Sequence, residues 1–168
     1  KSKQITFTRK FKHLGSWLTQ DLRINADIAI QIWKATEKVN GLVNIWRSKH
    51  VAMQFKKLLC LQLPLNTVLW GAESWTQTAK SKRKVQRFHH AAIRNIMNIT
   101  MFEVEEKRIT NQKLRESFDN IRNITEFIEE RQLTWLAQVL KMDPKQSTRK
   151  LANAWITHPR QSDQPQHN

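Results

Sequence analysis

The sequence predicts a mainly α fold, a helical bundle preceded by a short N-terminal β-hairpin, and three observations carry that expectation. The 168 residues include only three glycines and four prolines, too few for an architecture built on tight turns. Apolar residues recur at steps of three and four over most of the chain, the spacing of helices with one buried face. The alternation of a half-buried strand is confined to the first twenty residues. The length suffices for one domain with a real core, or for such a domain plus an appendage.

Gln4–Thr8 alternates Ile5 and Phe7 with Thr6 and Thr8, and the stretch Phe11–Thr19 is expected to pair back on it through Arg9 and Lys10. Gly15 lets the second strand bend or another backbone come close. Asn25 or Asp27 is expected to cap a helix running to about Ser48. Its buried stripe would be Ile28, Ile32, Ala35, Val39, Leu42 and Trp46, with Lys34 and Lys38 pointing away from it. From Ala52 to Leu69 a second helix is apolar nearly all round and is expected to be central, kinked or split at Pro64. Gly71 supplies a left-handed cap where Trp70 and Trp75 flank a turn.

Lys80–Ile99 reads as a helix with Lys80, Arg83, Arg87, His90 and Arg94 on one face and Val85, Phe88, Ala92 and Ile96 on the other. A short helix is expected near Gln112–Phe118. A longer one, Ile121–Met142, carries a packing stripe of Ile121, Ile124, Ile128, Trp135 and Val139 interrupted by Gln132. A short helix over Ser147–Trp155 and a disordered polar tail over 157–168 complete the chain. The expected division is a hairpin over 1–20, a basic helical bundle over 21–102, a helical extension over 103–156, and the tail. The chain opens on Lys1 rather than Met and is expected to be a fragment whose beginning lies upstream.

The formal charge is +15, and it is unevenly placed. Residues 1–102 hold 18 Lys and Arg against four acids (Asp21, Asp27, Glu37, Glu73), whereas residues 103–168 hold 11 against 10. So one-sided a charge implies a polyanionic partner, and nucleic-acid phosphate is favoured because its neutralisation releases condensed counterions whatever the base sequence. An anionic membrane surface fits less well, since the basic positions are spread over several segments, and no apolar run approaches the ~18 residues of a membrane span. The candidate phosphate contacts are Lys12, Arg47, Lys49, Lys80, Arg83, Arg87 and Arg94.

Other chemistry is sparse. The single cysteine, Cys60, lies in an apolar run, which reads as a core residue in a reducing, intracellular compartment rather than as a nucleophile. The six histidines lack partners at ligand spacing, so neither a metal nor another cofactor is expected. Trp46 and Trp135 are expected in the core, and Trp17 and Trp75 are the candidates for stacking on a base or sugar.

Three blocks, in order, resemble the C-terminal part of LINE-type (non-LTR) retrotransposon reverse transcriptases. Phe11-Lys12-His13-Leu14-Gly15-Ser16 resembles the F-K-Y-L-G block of the primer-grip hairpin that ends the palm. Trp70-Gly71-Ala72-Glu73-Ser74-Trp75 is similar to the Y-G-A-E-T-W block after the thumb helices. The run Arg131-Gln132-Leu133-Thr134-Trp135-Leu136-Ala137-Gln138-Val139-Leu140-Lys141-Met142 is similar to R-R-L-R-W-L-G-H-V-L-R-M. Among the departures are His13 and Trp70 for tyrosines and Ala137-Gln138 for Gly-His.

The resemblance implies a thumb-like bundle that holds a template–primer duplex. Phe11, His13, Leu14 and Gly15 would stand in the primer grip, next to a palm domain that this chain does not contain. Family members carry metal-binding carboxylates on a Y/F-A-D-D strand before the grip. No Asp-Asp pair occurs here, so the chain is not expected to be an enzyme by itself. Two rival expectations are a self-standing basic helical DNA- or RNA-binding protein and a decayed remnant of a retrotransposon without current function.

Overall fold

Leu14 and Gly15 both adopt positive φ, 46° and 93°, and the chain reverses there within two residues. In the computed structural model, which describes residues 8, 10–19 and 24–157, Phe11–Thr19 is therefore most of a hairpin rather than one of its strands. Strand β1 (Lys10–His13) pairs antiparallel with β2 (Ser16–Thr19), placing Phe11 opposite Leu18 and Lys12 opposite Trp17. Positive φ at both loop positions suits the right-handed twist of the flanking strands. The expected partner strand, Gln4–Thr8, lies outside the described residues except for Thr8, which belongs to no strand.

Helix α1 spans Asn25–Gly41 and α2 spans Val43–Arg47, so the single helix expected to reach Ser48 is broken at Leu42. Gly41, a poor helix former, immediately precedes the break. The expected stripe survives it: Ile28, Ala35, Val39 and Trp46 are buried, Ile32 and Leu42 pack against them, and the Trp46 indole N–H donates to Val39 O at 2.8 Å across the bend. The expected cap does not form. Ile24 occupies the N-cap without a side-chain bond, and Asp27 is buried with Oδ1 accepting the Trp17 backbone N–H at 2.9 Å. A carboxylate in the first turn favours the positive end of the helix dipole and here also holds β2.

Helix α3 (Met53–Cys60) runs into a π-helical turn (Leu61–Leu65) and then the short α4 (Asn66–Val68). Pro64 lies inside that turn. Its ring and missing donor disfavour regular α-helix, and the Asn66 N–H reaches back five residues to Leu61 O. The segment is not enclosed as its composition suggests, for Phe55 and Leu58 are half exposed whereas Lys56 is buried, its ammonium donating to Trp46 O.

The central place belongs instead to α5 (Ala79–Met97), which packs against α1, α2, α7 and α8. Asn98 ends it in the left-handed conformation (φ 56°). Helices α6 (Met101–Glu106), α7 (Asn111–Ser117), α8 (Ile124–Lys141) and α9 (Ser147–Thr157) follow. Thr100, Thr110 and Asn123 cap the first three through side-chain oxygens, each covering an amide the first turn leaves unpaired. The expected disordered tail falls, beyond Thr157, outside the described residues.

One hydrophobic core runs from Ile28 through Trp46, Leu65, Ile93 and Ile96 to Phe118, Ile124 and Ile128. It crosses the expected boundary at residue 102. Trp135 is not in it: the ring is 43% exposed, contrary to the sequence expectation, while Ile121, Ile124, Ile128 and Val139 of the same stripe are buried. Val139, one turn beyond Trp135, is buried again, so the exposure is local to Trp135.

Candidate nucleic-acid interface

A reciprocal cap starts α5. Thr78 Oγ1 accepts from Ser81 N–H at 3.2 Å, and Ser81 Oγ accepts from Thr78 N–H at 2.9 Å. With Val85, Phe88, Ala92, Ile93 and Ile96 directed into the core, Lys80, Arg83 and Arg87 emerge on the outside, all exposed. Lys84, one turn beyond Lys80 and not among the expected contacts, joins them; its spacing of four from Lys80 is the sequence signal for it. Among the described residues none of these four forms an ion pair, and the one ion pair on α5 links Lys82 to Glu129 at 4.0 Å.

The face does not continue to its expected end. His90 is buried and Arg94 half-buried, because α7 lies alongside and brings Arg115 Nη1 to 3.2 Å from His90 Nε2. Burial, then the charges of Arg115 and Arg94, push the His90 pKa down to about 4. His89 is fully buried with neither ring nitrogen bonded among the described residues; burial first, and then His90 and Arg115, bring its pKa down to about 3. Both imidazoles are neutral near pH 7 and contribute no positive charge to the surface. Arg47 and Lys49 are exposed at the exit of α2, and Lys12 is exposed on β1, so these three stand on other elements than the α5 face.

The hairpin is held at its turn. Gly15 O accepts from Gln31 Nε2 at 3.2 Å and from Lys34 Nζ at 3.4 Å, and Leu14 O accepts from the Trp70 indole at 3.1 Å. Lys34 is thus directed to the hairpin instead of away from the core. A Cβ on Gly15 would lie 3.0 Å from the Trp70 indole nitrogen, and a Cβ on Gly71 (φ 75°) would lie 3.0 Å from Ser16 Oγ, so two glycines let the turn and the Trp70 loop close on each other. Phe11 and His13 stack, ring centroids 6.2 Å apart, and among the described residues Leu14 is the most exposed large apolar side chain.

Helix α8 grips the same loop from the far side. Arg131 donates to Leu69 O at 2.9 Å and to Asn66 Oδ1 at 2.6 Å, and Gln132 Nε2 donates to Trp75 O at 2.8 Å and Ala72 O at 3.3 Å. The three sequence blocks are therefore contiguous in space, Gln132 binding the Trp70–Trp75 loop, Arg131 binding the residues just before it, and Trp70 binding the hairpin turn. A cleft of about 440 Å³ lies where they meet, lined in part by His13, Leu14, Trp70, Glu73 and Arg131.

Two stacking candidates change places. Trp75 is buried and has no face to offer a base, Trp17 is half-buried, and among the described side chains the exposed indoles are Trp33, Trp70 and Trp135. Burial pushes the Cys60 thiol up to about 12, so it stays protonated in the core. Among the described residues no group of three or more His, Cys, Asp or Glu is gathered to hold a metal ion, and no helix is long and apolar enough to cross a membrane. Compared with known proteins, the chain matches no family model, no curated protein and no solved structure.

Proposed function

We propose that this chain is a nucleic-acid-binding segment, the thumb-like and C-terminal part of a LINE-type reverse transcriptase, which holds a template–primer duplex by its phosphates and has no polymerase centre of its own. The observation that carries the reading is the outward face of α5, where Lys80, Arg83, Lys84 and Arg87 are exposed on a helix whose other side is fixed in the core. A row of cations on a rigid helix suits a regularly spaced phosphate backbone and carries no base specificity. The hydrogen bonds that join the three resembling blocks support the family reading, because they give residues far apart in sequence one common place. The hairpin stands as a two-stranded sheet among the described residues, an arrangement marginal by itself and suited to docking against a palm domain.

Filter binding of unrelated duplex sequences across a salt series tests this. Each phosphate contact contributes about −0.7 to −0.9 to the log–log slope, so several contacts give a slope of several units with similar affinity for every sequence. Charge reversal at Arg83 and Arg87 together flattens the slope by about two contacts, roughly 1.4 to 1.8 units. Absent or salt-independent binding, or an unchanged slope in the double variant, overturns the proposal.

A further inference from the structure

Trp33 and Trp70 are 64% and 52% exposed, an unusual state for the largest apolar side chain, and each lines one of two adjoining hollows that make up a groove. The first part of the groove, about 560 Å³, is lined by Trp33, Lys34, Lys38, Leu63 and Thr67; the second, about 200 Å³, is lined by Gly15, Lys34, Thr67 and Trp70. The two parts share Lys34 and Thr67. Lys34 is anchored there by Gly15 O and by Gln31 Oε1 at 3.5 Å, and among the described residues it forms no ion pair. One acid, Glu37, borders the groove against two lysines. Gly41 also lines the first part, with nothing within 4 Å of a Cβ placed there.

We propose that this groove holds the unpaired nucleotides that continue from a bound duplex, their bases on the Trp33 and Trp70 indoles and their phosphates on Lys34 and Lys38. Indoles give every base a π-face to stack on, and lysines between them neutralise the linking phosphates, the combination that binds single strands without sequence preference. An apolar protein partner would leave Lys34 and Lys38 without counter-charge, whereas a nucleic-acid strand supplies it at each nucleotide. The inference rests on the duplex-binding reading but uses residues outside the α5 face. Trp70 also holds the hairpin, so Trp33, which makes no such contact, is the residue to vary.

The probes are a blunt duplex, the same duplex with a short single-stranded overhang, and the overhang as a free oligonucleotide. In the wild-type chain the overhang increases affinity over the blunt duplex. Trp33→Ala lowers affinity for the overhang substrate by about five- to 150-fold, the loss of one stacked base, and leaves the blunt duplex unchanged. Trp33→Phe restores most of the gain. If the overhang adds nothing, or if Trp33→Ala leaves the gain intact, the inference is overturned while Arg83- and Arg87-dependent binding of the blunt duplex keeps the parent reading. If the blunt duplex does not bind but the free oligonucleotide does in a Trp33-dependent way, the duplex reading falls and the groove stands. Concentration-dependent self-association in sedimentation that Trp33→Ala abolishes identifies a second copy as the occupant and also overturns the inference.

Discussion

Replacing Gln132 by methionine keeps the length and most of the shape of the side chain and removes the donor that holds the Trp70–Trp75 loop. Gln132 Nε2 serves two carbonyls, Trp75 O at 2.8 Å and Ala72 O at 3.3 Å. Ala72 O keeps a second partner in the Trp75 N–H at 3.2 Å, so its loss is partial. Trp75 O depends more on Gln132, and the buried Trp75 and Ala72 limit the access of water to the gap. A carbonyl left unsatisfied in such a place costs about 1–3 kcal/mol, and with the weaker second bond the expected loss is about 2 kcal/mol. Gln132→Glu should cost at least as much despite its closer match in shape, because it turns an acceptor toward two carbonyls.

Urea denaturation gives the free energies, and hydrogen exchange locates them. Because the loop in turn holds Leu14 O, exchange should accelerate at hairpin amides as well as in the loop, while amides inside α1 stay protected. Arg131→Met removes the bonds to Leu69 O and Asn66 Oδ1, and the double variant should lose less than the sum, with a coupling of about 0.5 kcal/mol or more, since the two adjacent side chains hold neighbouring parts of one segment, 66–75. A Gln132→Met variant within about 0.5 kcal/mol of wild type, with unchanged hairpin exchange, would refute the view that α8 braces the hairpin.

Two further predictions concern the glycines and the histidines. Gly15→Ala places a Cβ 3.0 Å from the Trp70 indole nitrogen at a φ of +93°, and should cost about 1–2 kcal/mol or more in thermal or urea unfolding. Gly41→Ala, in open space, should instead be neutral or stabilising by up to about 1 kcal/mol; equal effects at the two sites would contradict the packing described. For His89 the folded-state pKa, about 3, lies below the ordinary 6.5, so the unfolded chain binds more protons between those values. Its contribution is complete above pH 6.5 and falls as the pH drops toward 3, by up to about 1.4 kcal/mol per pH unit. A His89→Leu variant should therefore show a flatter loss of stability between pH 6.5 and 4 in urea titrations, and a slope as steep as wild type would show that His89 is not the group responsible.

The sequence by itself determined the helical class, the stripes and the basic face of the first half of α5, because each of these is a property of one segment. Spacing at three and four residues fixes which side chains share a face, and the exclusion of apolar surface from water decides which face turns inward. Only tertiary structure decided what the neighbours do to that face. His90 repeats the spacing of Arg83 and Arg87, yet α7 covers it. Trp135 is exposed on an apolar stripe whose neighbours Ile128 and Val139 are buried, and Asp27, inside the first turn of α1 rather than at its cap, accepts a strand amide instead. The link from Gln132 to Trp75 spans 57 residues. No local pattern signals such a bond: its value comes from a carbonyl that would otherwise be left unpaired, and that need exists only once the chain has closed around it.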